Sequence, residues 1–130
     1  MGVGWVLHDK HWYYAESSGA LAHGWKKSGS AWYYLDHQQE DRMLANTTRR
    51  IDGILYAFKS GGAMVAAKGW VQLPGGWVYG EGSSGKLRTG WLEEKGSRYY
   101  LDTDTGYMLT GAAVIDGEEH QFSSGGALIP

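Results

Sequence analysis

The residues best suited to form a binding site in this sequence are its seven tryptophans, six of which stand in pairs seven positions apart. Trp25 and Trp32 enclose a turn signal at Gly29, and two tyrosines follow the second tryptophan. This pattern predicts a β-hairpin that carries one indole on each strand. Indole is the aromatic ring that attracts cations best, at about 2 kcal/mol for a desolvated contact. Several such rings around one point would form a cage for a quaternary ammonium group, which loses little when it leaves water.

The other reactive residue types form no catalytic or metal-binding pattern in the sequence. There is no cysteine, and the five histidines are scattered without metal-ligand spacing. The neighbours Glu93 and Glu94 lie on a predicted strand and therefore point to opposite faces, as do Glu118 and Glu119. Residues 102–106 resemble half of a calcium loop but lack its later oxygen ligands, which favours a plain turn. We therefore predict no catalytic residue, no metal and no cofactor.

Composition and charge exclude several classes of partner. Glycine accounts for 21 of 130 residues, against roughly 7% in typical proteins, which favours short strands and tight turns. The formal net charge is −2 and no basic face accompanies the aromatic residues, so nucleic acid is not an expected partner. No apolar run is long enough to span a membrane. The first residues do not read as a signal peptide, and we expect the chain to be a piece of a longer protein.

The indole pairs belong to a repeat of 20 to 23 residues that covers the chain. Six units begin at a Gly-Trp or equivalent position, and each reads as strand, tight turn, strand, loop and one large apolar residue. We therefore predict an all-β fold, a single repeat domain over residues 1–130 in which hairpins stack as a solenoid. The units are 4–23, 24–46, 47–68, 69–89, 90–110 and 111–130. The apolar residues that end them are Leu21, Met43, Met64, Leu87, Met108 and Leu128.

The pattern Gly-Trp-x6-Trp-Tyr-Tyr-x4–5-Gly-x-Met/Leu resembles the choline-binding, or cell-wall-binding, repeats of Gram-positive surface proteins and phage lysins. The resemblance implies a left-handed superhelix of hairpins with a ligand site at each junction. A site of that family takes both indoles of one unit and the first tyrosine after the second-strand tryptophan of the next, with a Met or Leu nearby. Three such cages are implied here: Trp5, Trp12, Tyr33 and Leu21; Trp25, Trp32, Tyr56 and Met43; and Trp70, Trp77, Tyr99 and Leu87.

Two units depart from the pattern. The third carries Leu55 where others carry the second indole, and Val78 of the next unit replaces the closing tyrosine, so we expect dry packing there. The fifth carries Arg98 in place of the second indole, and His120 of the next unit replaces the tyrosine. Because a guanidinium would repel a bound cation, we predict no choline at this junction and expect Arg98 to stack on Trp91 instead.

The leading hypothesis is a non-catalytic cell-wall-binding module that holds choline groups of teichoic or lipoteichoic acid. Its location would be extracellular and associated with the cell wall, with the signal peptide outside this chain. The alternatives are a module for glucan or another carbohydrate, since indole faces also stack on sugar rings, and a structural spacer or protein-interaction arm. A three-walled cage would favour the ammonium ligand, whereas a flat open platform would favour sugar.

Overall fold

The structure is a computed structural model that describes residues 4–130. Within that range no helix has the length and apolar character that crossing a membrane would need. The strands are β1 (Gly4–His8), β2 (His11–Ala15), β3 (Gly24–Ser28), β4 (Ala31–Asp36), β5 (Arg42–Met43), β6 (Thr47–Ile51), β7 (Ile54–Phe58), β8 (Lys68–Leu73), β9 (Gly76–Glu81), β10 (Gly90–Glu94), β11 (Ser97–Leu101), β12 (Gly111–Ile115), β13 (Glu118–Phe122) and β14 (Leu128–Ile129), with a 3-10 helix at His37–Gln39.

The strands of the described residues form six hairpins, one in each predicted unit. The pairs are β1 with β2, β3 with β4, β6 with β7, β8 with β9, β10 with β11 and β12 with β13. The short strands β5 and β14 add a third strand to the second and sixth hairpins. The all-β class and the repeat of hairpins predicted from the sequence are therefore confirmed.

Tight turns join the paired strands, and most of them use the left-handed backbone that short hairpin loops require. In four turns the first residue has a φ of 51° or 52°: Asp9, Asp52, Lys95 and Asp116. The turn after β8 differs because it begins with Pro74, whose ring fixes φ near −65°. There the positive φ falls on Gly76, at 145°.

The register gives each hairpin two different faces. In the first hairpin Trp5 pairs with Tyr14, and Leu7 pairs with Trp12. Paired residues share a face, and so do alternate residues of one strand. Trp5 and Trp12 are therefore diagonal neighbours on one face, while Tyr13 lies on the other. A hairpin can thus offer two indoles on one side and a tyrosine on the other.

The large apolar residue that ends each unit returns to the second strand of its own hairpin. Met43 and Leu128 do so within β5 and β14. The other four form isolated antiparallel bridges: Ala15 with Leu21, Phe58 with Met64, Gly80 with Leu87 and Leu101 with Met108.

The chain divides into two compact units. The first comprises Met1–Thr47 and Phe58–Met64, and the second comprises Thr48–Ala57 and Val65–Pro130. The hairpin of β6 and β7 supplies residues to both units. The organisation as one domain of six repeats stays a prediction.

Each unit has its own buried apolar residues. In the first unit Ala15, Leu35 and Phe58 are fully buried. In the second unit a core cluster joins Leu55, Ala57, Val65, Leu73, Val78 and Leu87. Both cores draw on second strands and on the apolar residues that follow them, and Leu73 from the first strand β8 joins the second core.

Candidate functional site

An aromatic pocket of about 350 Å³ lies in the first compact unit. Its walls are Trp5 from β1, Trp12 from β2 and Tyr33 from β4. Met43 of β5 and Gly61 complete the lining. The structure thus brings together the three aromatic residues that the sequence assigns to the first cage.

The rings of this pocket stand at steep angles to one another. The centroids of Trp5 and Tyr33 are 4.8 Å apart with an interplanar angle of 67°. Tyr14 contacts the same indole edge-on at 5.2 Å and 88°. The Trp5 Nε1–H donates to Ser28 Oγ at 3.2 Å, which fixes the orientation of the indole. Trp5 and Tyr33 therefore line the pocket at a steep angle to each other and do not form one flat platform.

A second aromatic pocket, of about 250 Å³, lies in the other compact unit and repeats the arrangement. Trp70 of β8, Trp77 of β9 and Tyr99 of β11 form its walls, and Met108 is the fourth side chain. Trp70 and Tyr99 have centroids 5.1 Å apart at 68°, nearly the geometry of the first pocket. The structure therefore also gathers the aromatic residues assigned to the third cage.

The Trp70 pocket differs from the Trp5 pocket by one charge. Trp70 Nε1–H donates to Glu94 Oε1 at 3.1 Å, where the first pocket has a serine hydroxyl. Hydrogen bonding to Glu94 raises the pKa of Tyr79, and desolvation adds to the shift. Glu94 thus places a carboxylate beside a ring that could receive a cation.

The fourth wall of each pocket comes from a different unit than the sequence analysis assigned. Leu21 was expected in the first cage, but it lines another pocket with Val6 and Tyr13, on the opposite face of its hairpin. Leu87 was expected in the third cage, but it is buried in the core cluster of the second unit. Met43, expected in the second cage, lines the first.

The physical reason for this shift is the packing of each apolar residue against the preceding hairpin. Met108 N–H donates to the carbonyl of Trp77 at 2.8 Å, and Leu87 N–H donates to that of Leu55 at 2.9 Å. The backbones of Leu87 and Met108 are thereby bound to the second strand of the hairpin before their own. The tyrosine and the methionine of one cage therefore come from the same unit.

A glycine in the loop of the next unit packs against the side chain of each methionine. A Cβ on Gly62 would overlap the side chain of Met43, and one on Gly126 would overlap that of Met108. Both glycines have a left-handed φ, at 91° and 89°. Sequence reasoning missed these contacts, although the repeated Gly-Gly pairs at 61–62 and 125–126 are a signal that could have indicated them.

The indoles of the second predicted cage lie together, and its closing tyrosine belongs to the other compact unit. Trp25 and Trp32 have centroids 6.4 Å apart at 88°. Phe58 packs against Trp25 at 5.8 Å, and Met64 N–H donates to the carbonyl of Trp32 at 2.8 Å. The closure of this cage by Tyr56 stays a prediction.

At the third and fifth units, which depart from the repeat pattern, protein side chains occupy the position of a ligand. Leu55 and Val78 are buried in one apolar cluster, so the expectation of dry packing there is confirmed. The guanidinium carbon of Arg98 lies 4.3 Å from the centroid of the Trp91 ring, which confirms the expected stacking. His120 contacts the same indole edge-on at 5.2 Å. The fifth hairpin therefore holds its own cation over its indole.

Comparison with known protein families gives one match. The family described as a cell wall binding repeat matches residues 3–21, 23–36 and 89–108, which lie in the first, second and fifth hairpins. No curated protein is significantly similar to the chain in sequence.

Solved structures of longer proteins share the fold. Choline binding protein F from Streptococcus pneumoniae is 30% identical with a TM-score of 0.65, and the match covers 98% of this chain and 42% of that one. The multimodular pneumococcal cell wall endolysin from phage Cp-1, solved in complex with choline, is 27% identical with a TM-score of 0.65, covering 98% and 37%. Alternansucrase in complex with isomaltononaose, at 21% identity and a TM-score of 0.53 over 99% of this chain and 10% of that one, shows the fold alone.

The chain therefore spans less than half the length of the choline binding protein and of the endolysin. The repeat pattern, the hairpin architecture and these similarities agree with one another. Three segments of the chain thus match the cell wall binding repeat, and the chain as a whole is similar to choline binding protein F.

Proposed function

We propose that this chain is a non-catalytic cell-wall-binding module that recognises choline groups of teichoic or lipoteichoic acid. The observation that carries the proposal is the repetition of one cage, with two indoles, a tyrosine and a methionine, in both compact units. A quaternary ammonium has no N–H group to satisfy, so aromatic faces and a polarisable thioether meet all of its requirements. The choline complex of the similar endolysin supports the same ligand here.

The charge around the cages supports a cationic ligand. In the fifth hairpin Arg98 replaces the second indole, and its guanidinium lies over the ring of Trp91. The first indole of this hairpin therefore binds a cation that belongs to the protein. Beside the Trp70 cage, Glu94 contributes a carboxylate. A neutral sugar would gain nothing from the Coulomb term of either arrangement.

Small cages of this kind bind their ligands individually with modest affinity. A polymer that carries many choline groups can occupy two cages at once, because the second binding event becomes intramolecular. The module would therefore attach a longer protein to the cell wall by avidity, at an extracellular location. Any catalytic activity of the parent protein would then belong to other segments of it.

The test is a choline titration followed by tryptophan fluorescence and by calorimetry. We expect saturable binding at millimolar choline, and weaker total binding in Trp12→Ala and in Trp77→Ala, each of which removes one cage. The neutral isostere 3,3-dimethyl-1-butanol has the same shape without the charge, so it should bind markedly more weakly than choline. A folded sample that gives no response to choline would contradict the proposal.

A second experiment separates the amine ligand from a glycan. The intact chain is applied to a tertiary-amine resin and, in parallel, to dextran. Retention on the amine resin with release by free choline supports the proposal. Retention on dextran alone would favour the carbohydrate alternative, and retention on neither would favour a structural or protein-binding arm.

A further inference from the structure

The second hairpin ends in a loop unlike those of the other units in the described range. Its polar sequence 38–41 begins within the 3-10 helix, which Asp36 caps by accepting from Gln38 N–H at 3.1 Å. Asp41 N–H donates to the Asp36 carbonyl at 2.9 Å, and Glu40 and Asp41 both have positive φ. These bonds hold the loop in one conformation. The choline cages give no reason for this construction.

The loop brings together two histidines that are 14 positions apart in the sequence. His23 precedes β3 and His37 follows β4, so the pairing of those strands places them side by side. Their ring centroids are 4.6 Å apart at 39°. His37 Nδ1 lies 2.8 Å from Asp41 Oδ1. One potential ligand atom from each of the three residues lies within 4.8 Å of the others.

We propose that His23, His37 and Asp41 form a binding site for a divalent transition metal ion, with zinc as the best match. Imidazole nitrogen and carboxylate oxygen are ligands that zinc takes at about 2.0 to 2.2 Å, which places tetrahedral ligand atoms roughly 3.4 Å apart. A small rotation of the exposed imidazoles brings the three atoms to that spacing. The metal takes the place of the hydrogen between His37 Nδ1 and Asp41 Oδ1, and the neutral imidazole then carries its single proton on Nε2.

The composition of the cluster selects the metal. Two nitrogen ligands and a single carboxylate suit zinc, nickel or copper, whereas calcium requires six or more oxygen ligands. His23 and His37 are exposed and Asp41 is partly buried, so an ion can enter from solvent. Three protein ligands leave one position of a tetrahedral ion open for water or for a further ligand. The site is independent of the aromatic cages and of the proposed choline ligand.

The test is a zinc chloride titration of the untagged chain by isothermal titration calorimetry, with histidine NMR resonances as a second readout. We expect one ion per chain and shifts of the His23 and His37 imidazole signals, with no competition from calcium. His23→Ala and His37→Ala should each weaken binding by at least about tenfold, and Asp41→Asn should weaken it measurably. Because both histidines are exposed, these variants should fold, which circular dichroism checks.

A matched control is available in the first hairpin. His8 and His11 form a cross-strand pair, and among the described residues they belong to no group of three potential metal ligands. The double variant His8→Ala/His11→Ala should retain zinc binding with unchanged affinity. Loss of binding in this control, or wild-type protein that binds no zinc, would overturn the proposal.

Discussion

Glu94 provides the sharpest test of charge recognition in the cages. Its carboxylate accepts from the Trp70 indole N–H at 3.1 Å and also hydrogen bonds with Tyr79. Glu94→Gln keeps the shape of the side chain and an oxygen that can accept these bonds, but it removes the negative charge. The first cage has Ser28 at the same place, so it supplies the neutral counterpart within the same protein.

The size of the effect follows from distance and dielectric. A cation over an indole lies within about 6 Å of the ring centroid, and Glu94 Oε1 is 3.1 Å from the ring nitrogen. At a charge separation of roughly 7 Å the attraction is about 0.6 kcal/mol in water and about 2.4 kcal/mol at an effective dielectric constant of 20. Because the cage is open to solvent, we expect the lower end, a loss of about three- to fivefold in choline affinity.

The assay must isolate one cage. In the background Trp12→Ala/Trp32→Ala, Trp70 and Trp77 are the remaining indole pair, and choline binding is measured with and without Glu94→Gln. The loss should appear at low salt and disappear near 1 M salt, where the Debye length falls to about 3 Å. Affinity for 3,3-dimethyl-1-butanol, which carries no charge, should not change.

Two results would refute this reasoning. Equal choline affinity in the two proteins at low salt would mean that Glu94 only orients the indole. An equal loss of affinity for choline and for the neutral isostere would mean that the substitution disturbed packing. The pKa of Tyr79 provides an internal check, because it should fall toward its ordinary value in Glu94→Gln, as followed by ultraviolet absorbance against pH.

Three further predictions concern the supports of the cages. Gly62→Ala should displace Met43 and weaken choline binding in the first pocket. Gly19→Ala is the control, because its φ of 93° matches the 91° of Gly62 but its new Cβ would meet no atom within 4 Å. The control should lose similar stability and keep its choline affinity, as measured by calorimetry. Arg98→Ala should uncover Trp91 and increase its quenching by acrylamide, and unchanged quenching would show that the guanidinium does not cover the ring in solution. Leu55→Ala should lower the free energy of unfolding by about 2 to 5 kcal/mol in urea denaturation, and a loss below 1 kcal/mol would contradict its place in the core.

The hairpins and their register could be predicted from sequence because their signals are local. Alternating aromatic residues, two-residue turns and a fixed period all act within about 20 residues. The steep contact of Trp5 with Tyr33 follows from the same register, since the first tyrosine of a unit must face away from its own indoles.

What could not be predicted depends on how neighbouring hairpins stack. The assignment of Leu21 and Leu87 to cages assumed that each apolar residue serves its own unit. The structure instead places Met43 and Met108 there. Met108 is bound through its backbone to the preceding hairpin, a contact that no sequence period specifies. The meeting of His23 with His37 has a different origin, because the pairing of β3 with β4 brings together the residues at the open end of one hairpin.

One position of the repeat decides what each junction does. At the first residue of the aromatic run on the second strand, Trp12, Trp32 and Trp77 keep 38 to 42% of their surface exposed. Indole rings with this exposed fraction offer apolar surface that a ligand can cover. They also contribute less to the free energy of unfolding than fully buried rings do. Leu55 at the same position is 3% exposed and joins a core cluster, and Arg98 covers the neighbouring indole with its own charge. The same backbone therefore carries an open aromatic pocket, a buried apolar core or an indole covered by Arg98, according to one side chain. Substituting this residue should exchange these roles without changing the hairpin.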